Sequence, residues 1–212
     1  MPLHFKATSS GGEGFAPVPA GSHIAICDIV ADIGLQPGSA LFPKPKQQVY
    51  IRFELPNERI EFEKDGKKQV GPAVIGRTYT ASMNEKANLR HHLESWRGKQ
   101  FTDEEAENFD VAAILGKPCM ITVMHKVVGD RTYANIAGIG GLPKGINPKT
   151  LIPEITPLYY APDNLGTYGQ LPEWLRKKID EQILPEPKSE QHEDLPPADN
   201  YSDQITDDDI PF

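Results

Sequence analysis

The sequence predicts a mainly β protein, a five-stranded OB barrel with a helical connection between strands 3 and 4. Three observations point there. Five stretches read as strands, two of them, His23 to Leu35 and Gln48 to Leu55, with clear period-two alternation. One segment of helical period falls between the third and fourth of them. The prolines keep to the flanks: of 20 in 212 residues, only Pro56, Pro72 and Pro118 fall between 46 and 142, and eleven fall from Pro143 onward. Five strands with a helix after the third is the layout of a small Greek-key barrel. An SH3-like barrel, which normally lacks that helix, and another small α+β sheet are the alternatives. A length near 150 residues per domain favours one domain with extensions over two small ones.

The first predicted strand is His23 to Leu35. His23, Ala25, Cys27, Ile29, Ala31, Ile33 and Leu35 form one face, and Asp28, Asp32 and Gly34 mark the other as wet. The second is Gln48 to Leu55, with Val49, Ile51, Phe53 and Leu55 inward and Tyr50, Arg52 and Glu54 outward. Glu61 to Lys68 is a charged excursion that turns at Asp65-Gly66. The third strand, Val74 to Ser82, puts Ile75, Arg77, Tyr79 and Ala81 on one side.

The period then changes. Leu89, Leu93 and Trp96 repeat at four and three across Asn84 to Trp96, a helix face that Gly98 would close. Thr102-Asp103-Glu104-Glu105 predicts a capping box opening a second helix that runs to Gly116. Lys117 to Val128 and Arg131 to Ile139 predict the fourth and fifth strands, joined at Gly129-Asp130.

The flanks divide the rest. Residues 1–21 predict a flexible arm, 22–147 the barrel domain, and 148–184 a Pro-punctuated extension that wraps the barrel or a neighbouring subunit and ends in a short helix over Pro172 to Leu184. Residues 185–212 hold nine acids and Lys188 as the single base, which is the chain's entire net charge of -8. Such a segment buries too little apolar surface to offset its entropy, so a disordered interaction tail is expected.

Composition excludes several classes. No run of 18 apolar residues predicts a membrane span, and the first 15 residues lack a signal-peptide pattern. Cys27 and Cys119 lie in apolar strands and read as buried thiols in a reducing cytoplasm. His91 and His92 are adjacent on a helix and cannot easily share an ion, so no metal or cofactor is expected. No nucleophile sits in a catalytic signature, and Gly138 to Gly141 lacks a phosphate-loop ending. The expectation is a protein that is not an enzyme.

What remains is aromatic plus basic. From Lys44 to Lys99 there are twelve bases and seven acids, a local excess that the pI near 5.3 hides. Tyr50 and Arg52 share one strand face, Arg77 and Tyr79 another, and Tyr133 lies on the fifth strand. Arg97 and Lys99 follow the helix stripe as phosphate candidates, whereas Trp96 belongs to the core. Bases stack on aromatic rings and cations follow phosphates, so these seven residues are the expected contacts to single-stranded DNA. Singly, a strand Tyr more often packs and a strand Arg more often faces solvent.

The last residues, Asp207-Asp208-Asp209-Ile210-Pro211-Phe212, resemble the C-terminal peptide of bacterial single-stranded DNA-binding proteins. Stretches such as FELP, LRHHLESWRGK and LGKPCMITV are similar to the OB-fold single-stranded DNA-binding proteins of tailed bacteriophages and prophages, over roughly residues 20 to 150. The resemblance implies a protein that coats single strands during phage replication or recombination, in the cytoplasm of an infected or lysogenic host. It implies host replication and repair proteins as partners of the tail: Phe212 as anchor, Ile210 and Pro211 as apolar area, and the three aspartates as steering charge. Weak competition of this tail with DNA at the basic groove is expected. A recruitment adaptor with weak DNA binding and a recombination nuclease with such a tail are the other readings. Oligomeric state is left open, a homo-oligomer included.

Overall fold

The computed structural model describes residues 17–38, 43–64 and 66–184. The sequence-predicted tail and most of the predicted N-terminal arm lie outside the described residues.

The strands are β1 (Gly21–Gln36), β2 (Lys46–Lys64), β3 (Lys67–Thr80), β4 (Pro118–Val128), β5 (Arg131–Gly140) and β6 (Leu158–Tyr160). The α-helices are α1 (Asn88–Arg97), α2 (Asp103–Glu107) and α3 (Glu173–Asp180). One sheet runs β3-β2-β1-β4-β5, antiparallel throughout, and β6 adds in parallel to β1. The sheet curls into a half-barrel.

The curl follows from β1. Its first residues, Gly21 to Ile26, pair with β4, whereas Ile26 to Gln36 pair with β2 on the other side. This staggered sharing, with register shifts at Cys27/Ile29 and Asp32/Leu35, bends the strand and tightens its twist. At the open seam Arg77 Nη1 donates to the Ile136 carbonyl of β5 at 2.5 Å, and α1 packs against both β3 and β5. The helix closes the end of the curl because Leu89 and Leu93 belong to the same apolar cluster as Val49, Ile51, Phe53 and Leu55. Trp96 packs on this cluster, 5.8 Å from the Phe53 ring.

Local signals hold where chain-neighbour chemistry decides them. Gly98 ends α1 at φ 71°, a left-handed conformation that glycine adopts freely. Thr102 and Glu105 form the capping box of α2. The second helix is shorter than expected. It stops at Glu107, and a separate 3-10 turn, Val111–Ile114, starts where the Asp110 side chain accepts from the Ala112 N–H at 2.8 Å. The charged excursion Glu61 to Lys68 belongs to the sheet: β2 and β3 continue as a paired ribbon to Lys64 and Lys67.

The face expected to be wet is buried. The shift at Cys27/Ile29 reverses the alternation of β1, so Cys27 and Val30 face the inner cluster while Ile29, Ala31 and Ile33 face a second one. That second cluster joins Tyr50 to Tyr160, Leu171, Leu175 and Ile179 of the C-terminal extension. Glu54 anchors the extension by accepting from the Glu154 and Ile155 N–H groups at 3.0 and 2.8 Å. The extension therefore completes a core on the back of the sheet. Among the described residues no helix is long and apolar enough to cross a membrane.

Candidate nucleic-acid interface

The C-terminal end of β3, the following loop and the start of α1 enclose an open groove of about 560 Å³. Three cations line it, Lys46, Arg77 and Lys86, and no carboxylate does. The hydroxyls of Thr78, Thr80 and Ser82 and the amides of Asn84 and Asn88 complete a polar wall. The loop is folded by its own side chains: the Asn84 N–H donates to Ser82 Oγ at 3.2 Å, and the Lys86 N–H donates to Asn84 Oδ1 at 3.1 Å.

The start of α1 adds a positive field. Its N-cap is Ala87, which has no side chain able to accept from the first-turn N–H groups, and no acid stands in that turn. An uncapped helix start presents N–H groups and the positive end of the peptide dipoles to whatever lies before it. Cations, hydroxyls and helix N–H groups around one groove suit the oxygens of phosphodiesters.

Of the seven predicted contacts, the structure brings Arg77 and Tyr79 to this groove. Arg77 stacks 5.2 Å from the Tyr79 ring centre. Tyr79 is buried, its hydroxyl 2.9 Å from His92 Nδ1 and its ring edge-on to that imidazole, so its ring is packed against protein rather than presented to a base. Burial pushes the Tyr79 hydroxyl pKa up and the His92 pKa down, each toward the uncharged form.

The other five lie elsewhere. Tyr50 is buried on the back of the sheet, its ring 5.0 Å from Trp174 in an edge contact, and burial pushes its hydroxyl pKa up to about 12. Arg52, on the same face, is held by Asp28. Of the pair expected on a wet face, Tyr50 is thus covered by the extension and Arg52 is tied to β1. Arg97 and Lys99 both reach Glu105, at 2.9 and 3.0 Å, and the Arg97 guanidinium lies 4.1 Å from the Phe101 ring centre. Tyr133 is half-buried on the β4–β5 ribbon, paired in register with Lys126. Asp207, Asp208, Asp209, Ile210, Pro211 and Phe212 lie outside the described residues.

Sequence reasoning missed Lys46, Lys86, Ser82, Asn84 and the helix start. The basic excess over 44–99 includes both lysines, and the Ser82-x-Asn84-x-Lys86 spacing before an alanine N-cap marks the loop, but only folding brings Lys46 of β2 beside them. Both thiols are free and buried, and burial raises their pKa values. Among the described residues no group of three or more His, Cys, Asp or Glu could hold a metal ion.

Fold and groove together define a class: a curled, mainly β sheet with a polar, cation-lined, carboxylate-free groove beside a helix start. No family model, curated protein or solved structure matches the chain.

Proposed function

We propose that this protein binds single-stranded DNA without strong sequence preference, along the groove between β3 and the start of α1, and recruits host replication and repair proteins through residues 207–212. The observation that carries the DNA reading is the groove's lining of Lys46, Arg77 and Lys86 with no acid among them, in a chain whose net charge is negative. The element order supports this, and we read the half-barrel as OB-type: β1 is central, β2-β3 and β4-β5 flank it, and α1 lies between β3 and β4 in sequence. The groove offers phosphate partners rather than an open aromatic platform. Affinity therefore rests on backbone contacts more than on stacking, and falls steeply with salt.

The test is fluorescence anisotropy of the full chain with single- and double-stranded oligonucleotides across a salt series. Preferential, salt-dependent binding of single strands is expected. Equal affinity for duplex overturns the reading, and absence of binding at low salt leaves the recruitment adaptor in its place.

A further inference from the structure

Beside the groove the molecule presents an aromatic ring that none of the strands supplies. Trp174 of α3 is 45% exposed, the only Phe, Tyr or Trp among the described residues that stands exposed rather than half-buried or buried. Its indole meets the Tyr50 ring at 5.0 Å and 86°, and an edge-on contact leaves at least one face of the indole clear of that ring. Tyr50 in turn lies across Gly76 of β3, where a Cβ would stand 2.0 Å from its hydroxyl oxygen. The indole is thus braced from below by a ring that is itself held against the sheet.

Register places this indole next to the groove. Tyr50 pairs with Thr78 and Gln48 with Thr80, so Gly76, Thr78 and Thr80 form one row on the back of β3. Thr78 and Thr80 also line the groove. Alternate residues of a strand are about 7 Å apart, so the groove begins about that far from Gly76 and the Tyr50 ring that covers it. Val74, 36% exposed, continues the row on the other side of Gly76. The row therefore passes from hydroxyls and cations to apolar surface. Lys177 and Lys178 follow Trp174 at three and four residues, on its side of α3, the former 4.0 Å from Glu181.

We propose that Trp174 stacks on a base of the single strand whose phosphates lie in the groove, the strand leaving the groove along the back of β3. This rests on the reading of the groove as a DNA site. An aromatic face takes any base, so the contact adds affinity without sequence preference. It also gives the C-terminal extension a part in binding: the segment that buries Tyr50 presents Trp174 in its place.

The test uses the full chain and a thymidine oligonucleotide. The chain has two tryptophans, and Trp96 is half-buried against the inner cluster, so Trp174→Phe isolates the Trp96 emission. Single strands are expected to quench the parent's emission in step with anisotropy and to leave that of Trp174→Phe unchanged. Trp174→Leu, which keeps apolar contact with Tyr50 but has no ring, should lose about 5- to 150-fold in affinity with the salt slope unaltered, and Trp174→Phe should retain most of it. A strand made abasic throughout keeps its phosphates and should bind without quenching. Salt-dependent binding by the parent with no change in emission overturns the stacking contact and leaves the groove reading standing, as does undiminished affinity of Trp174→Leu. Should Trp174→Leu melt early, the quench in the parent decides. Absence of binding by the parent overturns both readings. An emission that shifts with protein concentration in the absence of DNA overturns the proposal and assigns the ring to a second copy.

Discussion

Arg52 and Asp28 are joined across β1 and β2 by a buried ion pair, with Nε and Nη2 of the guanidinium 2.9 and 2.6 Å from the same carboxylate oxygen. The Asp28 side chain is fully buried and that of Arg52 is 17% exposed. Burial raises the Asp28 pKa and Arg52 pulls it back down. The pair sits where β1 changes register, so it ties the bend in the central strand to β2.

Arg52→Met should cost about 3–5 kcal/mol at neutral pH, because it leaves a carboxylate buried without its cation. An acid whose folded-state pKa is raised contributes stability that is present in full below its unfolded value and lost as pH rises through the folded one. Without Arg52 the pKa rises further, so the deficit of the variant should shrink as the solution is acidified toward the ordinary carboxylate range. Urea denaturation at two pH values checks this, and a deficit independent of pH would contradict it.

Tyr50→Ala should destabilise about as much as Phe53→Ala, roughly 3–5 kcal/mol, because both rings are buried, on opposite faces of β2. Gly76→Ala tests the same contact from β3, since a Cβ there would stand 2.0 Å from the Tyr50 hydroxyl oxygen. Trp174 restricts the ring from yielding. Adding Tyr50→Leu to Gly76→Ala, which removes the ring carbons that would stand 2.3 and 2.7 Å from the new Cβ as well as the hydroxyl, should recover part of the loss, a coupling that melting of the single and double variants resolves. A Tyr50→Ala variant with unaltered melting and weakened DNA binding would return Tyr50 to the interface.

Lys86→Ala should weaken single-strand binding with little change in melting, and lower the slope of log affinity against log salt by about 0.7 if one phosphate contact is lost. Arg77→Ala should weaken binding and also lower stability, because that guanidinium holds the Ile136 carbonyl across the seam. Anisotropy at four or more salt concentrations, beside thermal melts, separates the two effects.

Glu105 accepts from Arg97, Lys99 and the Thr102 N–H, and these bonds, Arg97 first, draw its pKa from 4.5 to about 2. A depressed acid contributes stability that is present above its unfolded pKa and lost as pH falls through the folded one. Glu105→Gln should therefore be less stable than the parent at pH 6, with the difference narrowing between about pH 4.5 and 2. Melting temperatures of both proteins along that range measure it.

Much of the fold was legible because it rests on nearest-neighbour chemistry. The alternation of Val49, Ile51, Phe53 and Leu55 states which side of β2 meets the core, and the structure places all four in one cluster. The α1 stripe, the Gly98 stop and the Thr102–Glu105 box follow from contacts within four residues. The candidate site was less legible. Arg77 and Tyr79 were visible as alternating strand residues, but Lys46 joins them only through the β2–β3 pairing, and Arg97 is diverted by Glu105 eight residues further on.

The sequence by itself determined the order of the five main strands and the place of the first helix between the third and fourth, the basic excess of residues 44–99 and the acidic segment after 184, since these depend on periodicity and charge count alone. Only the tertiary structure decided which strand face is dry. A period-two pattern reports that the two faces of a strand differ, but it does not report what later covers the polar one. Here the shift beside Asp28 exchanges the faces of β1, and Leu171, Leu175 and Ile179, more than 110 residues further along, close over Tyr50. Burial is set by those distant segments, and with it whether an aromatic ring packs or stands open to a base.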